Sequence, residues 1–502
     1  MHPVIAAIGR HAAAHPGRVA LTDGVRNLGY AALNRLIADA AAQIRTETTK
    51  TVALCLDNCP EWLVADLALL AARLPCLPLP AFFSPRQQMH ALVDAGVECI
   101  ITDQPEACLM RLRSAGLAAA PGAGLMIAGR CLGRVWIGRS SKPVIPAGTV
   151  KITYTSGTTG HPKGVCLGEA ALAAVVRSLV VTCRLQTGDR HLGVLPLATL
   201  LENVAGYAAL MAGGTVVLPP LAEIGTLGAA GARPGLLLTA LESSRATTAV
   251  LVPQLLKGLV ERIEAGAACP RALRFLAVGG AATAPALLES AERAGLPVFE
   301  GYGLSECASV VALNAPGANQ RGTVGRPLAH IALSFARDGE ILVSGALLLG
   351  YCGQQEEMRG PWPTGDLGTL DADGYLRITG RKKNCFITSY GRNVSPDWVE
   401  AALAAEPSIA QAWVSGEARP WAAAVIVARP GCPDAELAEA VDRANKTLPE
   451  YARVRRWLHA EEPFSFANGE LTANGRLRRE RIARHYESAV ESLYTEEFNE
   501  LL

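Results

Sequence analysis

No sign of charge dominates this sequence. Its 502 residues carry 47 Lys and Arg against 46 Asp and Glu, a formal net charge of +1. Neutralising nucleic-acid phosphates takes a clustered excess of positive charge, so that class of partner is set aside. Charged residues make up 19% and hydrophobic ones 50%, which excludes a disordered chain and permits a large core. A long apolar run is also missing. The most apolar stretch, Trp62 to Phe83, is broken by Asp66, Arg73, Pro75, Pro78 and Pro80, so no span of about 20 apolar residues crosses a membrane. The start, Met1-His2-Pro3-Val4, has no basic region feeding an apolar one, and no secretory signal is read there. The 13 cysteines form no CxxC pair, which argues against a zinc site or disulfide framework and for a reducing, cytoplasmic setting. No internal repeat or low-complexity tract is present.

What is present has the rhythm of an α/β protein. Short β-rich runs (Thr51–Cys55, Cys99–Thr102, Thr215–Leu218, Ala249–Val252, Phe275–Val278) alternate with helical spacing over Glu61–Ala72 and Pro285–Ala294. That alternation predicts parallel sheets flanked by helices. Beyond about Gly322 the pattern turns to short strands and tight turns, Gly339–Gly345 and Gly374–Ile378, as in a small antiparallel barrel. A basic knot, Gly380-Arg381-Lys382-Lys383-Asn384, then precedes a final segment of about 120 residues. There a helix over Pro396–Ala404, strands over Ala410–Val414 and Ala422–Val427, and a basic helical end are expected.

The sharpest local feature is Tyr154-Thr155-Ser156-Gly157-Thr158-Thr159-Gly160-His161-Pro162-Lys163-Gly164-Val165. Glycines let a backbone approach an anion closely, hydroxyls donate to phosphate oxygens, and the lysine supplies charge. Pro162 stands where a Walker A loop needs a glycine, so it is not that motif.

This segment resembles the phosphate loop of the adenylate-forming superfamily, which contains acyl-CoA synthetases, peptide-synthetase adenylation domains and beetle luciferases. Further matches follow in order. Gly301-Tyr302-Gly303-Leu304-Ser305-Glu306 resembles its adenine and magnesium segment, Thr364-Gly365-Asp366 its ribose segment, and Gly380-Arg381-Lys382-Lys383 its hinge. Leu471-Thr472-Ala473-Asn474-Gly475-Arg476 resembles the loop that normally carries a catalytic lysine. The resemblance implies an α/β fold: a large N-terminal domain (1–381) of two α/β subdomains plus a small β-barrel, and a mobile α+β C-terminal domain (382–502). It implies ATP, Mg²⁺ and a thiol acceptor, either CoA or the phosphopantetheine of an acyl carrier protein.

Residue by residue, it implies that Lys163, with Ser156, Gly157, Thr158, Thr159 and Gly160, holds the phosphates that leave as pyrophosphate. Glu306 and Thr155 lie at the metal. Tyr302, with Gly279-Gly280-Ala281, Gly301, Gly303 and Ser305, receives adenine, and Asp366 with Arg381 receives ribose. Lys382 and Lys383 form the hinge.

Two positions depart from the pattern. Arg476 replaces the lysine that promotes adenylation. It keeps the charge but presents a planar fork, which leaves three readings open: catalysis with arginine, slow catalysis, or a nucleotide- or acyl-AMP-binding protein. Thr199 stands where long-chain enzymes commonly carry histidine beside the substrate carboxylate. Substrate class rests on absences: Leu200–Met211 offers only Glu202 against an ammonium, and Val204–Leu210 is small and apolar, as suits an aliphatic or aromatic acid. Only 18 residues separate Glu306 from Gly325, too few for the insertion of carrier-loading ligases, which favours CoA.

Overall fold

The computed structural model describes residues 1–48, 50–80, 83–138, 145–155, 163–226, 233–354, 360–390, 392–472 and 475–495. Two large sheets organise the first two thirds of the chain. In one, eight strands lie in the order Gly350–Tyr351, Lys163–Gly168, Thr149–Thr155, Cys76–Pro78, Thr51–Cys55, Val97–Thr102, Arg130–Ile137, Ala119–Ile127. Its centre is parallel, as the alternating pattern requires, while Thr149–Thr155 and Lys163–Gly168 form a hairpin. In the other, nine strands run Arg326–Pro327, Ala312–Leu313, Val298–Tyr302, Phe275–Val278, Thr248–Leu251, Arg190–Leu192, Thr215–Val217, Val19–Thr22, Asn27–Gly29, parallel from Val298–Tyr302 through Val19–Thr22.

Helices pack between the sheets. Pro60–Ala72 begins with proline, which suits a first turn, and ends on Arg73 in the left-handed region at φ 56°. Every residue from Pro60 to Leu70 is buried, so the first half of the most apolar stretch is a helix enclosed on all sides. No described helix is long and apolar enough to cross a membrane. One apolar cluster joins this helix to Tyr30–Glu47, Glu169–Thr182 and Leu200–Ala212, with smaller clusters on the outer faces of both sheets.

A polar cluster sits inside this core. The Lys151 ammonium, 1% exposed, is bonded to Asp66 and donates to Asn203 Oδ1 at 3.0 Å. Asp66 Oδ2 also accepts from Asn203 Nδ2 at 2.8 Å and Tyr207 Oη at 2.6 Å. Lys151 belongs to the hairpin that leads into the phosphate-loop segment. Asn203 and Tyr207 belong to the helix that starts just after Thr199.

The segment expected as a barrel is a four-stranded antiparallel sheet, ordered Ile331–Phe335, Glu340–Gly345, Trp362–Leu370, Leu376–Arg381. Its register sets Asp366 opposite Arg381. The final segment adds the strand pair Phe386–Ile387 and Asn393–Val394, and a three-stranded sheet (Ile409–Ser415, Ala422–Ala428, Val454–His459). Helices Pro396–Ala405 and Asp434–Lys446 pack on one face of that sheet, Arg479–His485 and Glu487–Thr495 on the other. Both of its apolar clusters are built from residues after Cys385.

Candidate active site

The parallel strands of the nine-stranded sheet end on one side, where an open α/β sheet receives ligands. Gly279-Gly280-Ala281 follows the strand Phe275–Val278, and Gly301 and Tyr302 close the strand Val298–Tyr302. Gly303 admits no larger residue, because a methyl group there would stand 1.7 Å from the Ser309 carbonyl oxygen. Ser305 and Glu306 form the short turn that follows. Tyr302 Oη donates to Asp366 Oδ2 at 2.7 Å, and Arg381 Nε lies 2.9 Å from Asp366 Oδ1. Burial raises the Asp366 carboxyl above its ordinary range, while Arg381, Tyr302 and Arg476 pull it back. The three residues expected at adenine and ribose therefore form one connected unit.

Lys163 opens its strand, exposed, with its ammonium 5.2 Å from the centre of the Tyr351 ring. Tyr351 Oη in turn donates to Glu306 Oε1 at 3.0 Å. Burial and the Glu306 carboxylate both raise the phenol, so it stays protonated and keeps donating. Tyr351 was not among the residues singled out from the sequence. It joins the expected phosphate lysine to the expected metal carboxylate because its strand pairs with Lys163–Gly168. Ser156, Gly157, Thr158, Thr159, Gly160 and the Thr155 side chain lie outside the described residues.

Arg476 comes from the C-terminal segment. One of its guanidinium nitrogens donates to the Gly280 carbonyl at 2.7 Å, across 196 residues of chain. Although accessible to solvent, its charged end is crowded by protein. Desolvation and Arg381 lower its pKa, and Asp366, Asp397 and Glu306 oppose them. Among the neighbouring arginines, Arg479 is engaged elsewhere, bridging Asp397 at 3.0 Å and Glu400.

The loop before Thr199 is held from two sides. Asn58 accepts from Leu197 N and donates to Leu195 O, both at 2.8 Å. Glu202 is fully buried, with Oε2 accepting from Leu195 N at 2.9 Å and Oε1 2.8 Å from His191 Nε2. Its carboxylate is thereby occupied. Thr199 turns its hydroxyl back to the Pro196 carbonyl at 2.7 Å. Asn58 gave no local signal, since it meets this loop only through the fold, and His191, on the strand Arg190–Leu192 just before the loop, shows its part only through its contact with Glu202.

At the basic knot, Lys382 Nζ lies 2.5 Å from Asp338 Oδ2 and 2.9 Å from Glu340 Oε2, and Lys382 N donates to Gly365 O. Two residues on, Asn384 Nδ2 donates to Asp397 Oδ2 at 3.1 Å in the C-terminal segment.

Known proteins resemble this chain over nearly its whole length. The model of the AMP-binding enzyme family matches residues 8–350, and that of the AMP-binding enzyme C-terminal domain matches 383–498. The long-chain-fatty-acid–CoA ligase FadD15 of Mycobacterium bovis is 30% identical, over 87% of this chain and 86% of its own length. The indoleacetate–CoA ligase of Aromatoleum aromaticum is 30% identical over 82% and 84%. Among solved structures, the o-succinylbenzoate CoA synthetase of Bacillus subtilis, with its acyl-adenylate intermediate, superposes with a TM-score of 0.75 at 23% identity, covering 95% of this chain and 97% of that one. The amide bond synthetase McbA of Marinactinospora thermotolerans gives 0.76 at 24%, over 96% and 100%.

Proposed function

Since this chain belongs to the AMP-binding enzyme family, the adenylate-forming enzymes, we propose that it activates an apolar carboxylic acid with ATP and passes the acyl group to the thiol of CoA. In the first step a carboxylate oxygen attacks the α-phosphorus and the bond to pyrophosphate breaks, giving acyl-AMP. In the second the sulfur attacks the acyl carbon, AMP leaves, and the thiol proton passes to solvent. The first step brings two anions together, so it needs fixed cations where charge accumulates.

The observation that carries the reading is the reach of Arg476 onto Gly280 O, beside the Tyr302–Asp366–Arg381 unit. This supports a cation delivered by the C-terminal body between carboxylate and α-phosphate. Lys163 holds the departing phosphates, and Asp366 with Arg381 takes the ribose hydroxyls. Glu306, a carboxylate with one oxygen steadied by Tyr351, suits a hard divalent cation, and Mg²⁺ held there would neutralise phosphate charge. The engaged Glu202 leaves no free carboxylate at that position for a substrate ammonium, which favours an acid without an α-amine. The relatives named for fatty and indoleacetic acids support an apolar acid and CoA.

We place the joint between the two bodies at Lys383, since Lys382 is bound on one side and Asn384 on the other. That keeps 1–382 with the nucleotide-binding domain and makes the residues after Lys383 the moving one, one residue later than the 381/382 boundary expected from the sequence.

The test is ATP–pyrophosphate exchange across a panel of carboxylic acids, followed by thioester formation with CoA. Exchange with apolar acids and acyl-CoA as product are expected. Nucleotide binding without exchange would overturn the reading, and exchange without CoA turnover would replace CoA by a carrier protein. A narrower test is Tyr351→Phe, which removes the donor to Glu306 and keeps the ring beneath Lys163. The Mg²⁺ concentration giving half-maximal exchange is expected to rise about tenfold, with little change in the KM for the acid.

A further inference from the structure

The C-terminal body packs its own cores, and polar contacts reach from it to the rest of the chain. An interface of that kind is weak, and bodies joined by one tend to move. One contact is Arg476 on Gly280 O. A second pairs Arg429 with Glu261 at 2.6 Å, but both partners are exposed, so it contributes little. The third is Lys257, on the helix Pro253–Glu264, which donates to Ala404 O at 2.7 Å and Ile409 O at 3.4 Å.

Ala404 lies in the last turn of the helix Pro396–Ala405. The final carbonyls of a helix have no partner within it and carry partial negative charge, so a cation there satisfies a need the helix cannot meet itself. Here the cap comes from the other body. Burial lowers the Lys257 pKa and Arg429 adds to that, while Glu261 and Glu406 oppose it. The same helix also faces the Arg476 loop: a methyl group on Gly475 would stand 3.9 Å from Gln254 Oε1. One short helix therefore meets the moving body at the helix it caps and at the loop that carries the catalytic candidate.

We propose that Lys257 is a positioning residue, a latch that holds the C-terminal body where Arg476 reaches the nucleotide site. It acts on the adenylate-forming step and not on the thioester step. The kinetic half of this proposal rests on the function given above; the conformational half does not.

The test compares Lys257→Met, which keeps the length and loses the donors, with Lys257→Arg, which keeps charge and donors, in the full chain. Limited trypsin digestion reads the pose, with N-terminal sequencing to identify cuts at Lys382 and Lys383. Lys257→Met is expected to be cut several-fold faster there than wild type, and Lys257→Arg at the wild-type rate. Exchange by Lys257→Met is expected to fall about tenfold, while thioester formation from supplied acyl-AMP stays within about twofold. Unchanged cutting, or an equal fall in both half-reactions, overturns the latch. Where the methionine variant misfolds, Lys257→Gln takes its place and is judged by the same readouts. Should wild type show no exchange at all, the functional reading fails, and the digestion alone decides the latch.

Discussion

Lys151→Met is expected to destabilise the N-terminal body by about 3–5 kcal/mol, the cost of stripping one partner from a buried ion pair. The charge left behind is Asp66, fully buried on a helix that is itself enclosed from Pro60 to Leu70. Asn203 and Tyr207 still donate to it, but neither carries a charge. Urea unfolding, followed through the transition of this body, is the measurement. The double variant Lys151→Met, Asp66→Leu is the informative companion: removing both charges leaves no uncompensated ion, and most of the loss is expected to return. A double variant as unstable as the sum of the single ones would mean that the cluster contributes through shape rather than charge. The cluster also joins the strand pair that carries Lys163 to the helix that begins beside Thr199, so it fixes the spacing between the proposed phosphate and acid sides of the site.

The second large effect is expected at Arg476. Truncation to alanine removes the one cation that the C-terminal body brings to Gly280, and exchange is expected to fall about 100- to 1,000-fold, the usual loss for a donor aimed at charge developing in a transition state. Thioester formation from supplied acyl-AMP is expected to change far less, since charge no longer has to be gathered at phosphorus. Equal loss in both half-reactions would assign Arg476 to the stability of the closed pose instead. Arg476→Lys separates charge from geometry. Full activity with lysine would mean that a point charge suffices, and loss would mean that the planar fork is needed.

Much of the fold was legible because it is written locally. The strands Thr51–Cys55 and Phe275–Val278 and the helix Pro285–Arg293 fall where apolar spacing and an initial proline put them. Breaks in the Trp62–Phe83 stretch excluded a membrane span, and the structure shows why its first half is so apolar, as a helix, Pro60–Ala72, surrounded by core. What was not legible depends on distance along the chain. Asp66 and Lys151 are 85 residues apart, and Asp66 and Tyr207 are 141 apart, so no window of sequence relates them. Tyr351 was missed for the same reason: its significance comes from an antiparallel pairing with Val165 and from Glu306, 45 residues away. For Thr199, expected beside the substrate carboxylate, the sequence did not show that its hydroxyl donates to the Pro196 carbonyl of its own turn. Where a small barrel was expected, the described residues form a four-stranded antiparallel sheet, because alternation reports strands and turns but not whether outer strands meet.

The run Arg381-Lys382-Lys383 has a consequence for ionic strength. Three adjacent cations look like one solvated patch, but Arg381 is neutralised by Asp366, and Lys382 by Asp338 and Glu340. Asp366 and Glu340 lie on strands of the four-stranded sheet and Asp338 in the turn between two of them, all ahead of the joint. The turn proposed for the C-terminal body would therefore separate neither pair, and it would not work against the repulsion that three bare charges exert. Added salt screens charges that the turn moves apart, and here it finds few. The proposed swing would thus be decoupled from the electrostatics of its joint, and the energy that biases it would come from the far side of the interface.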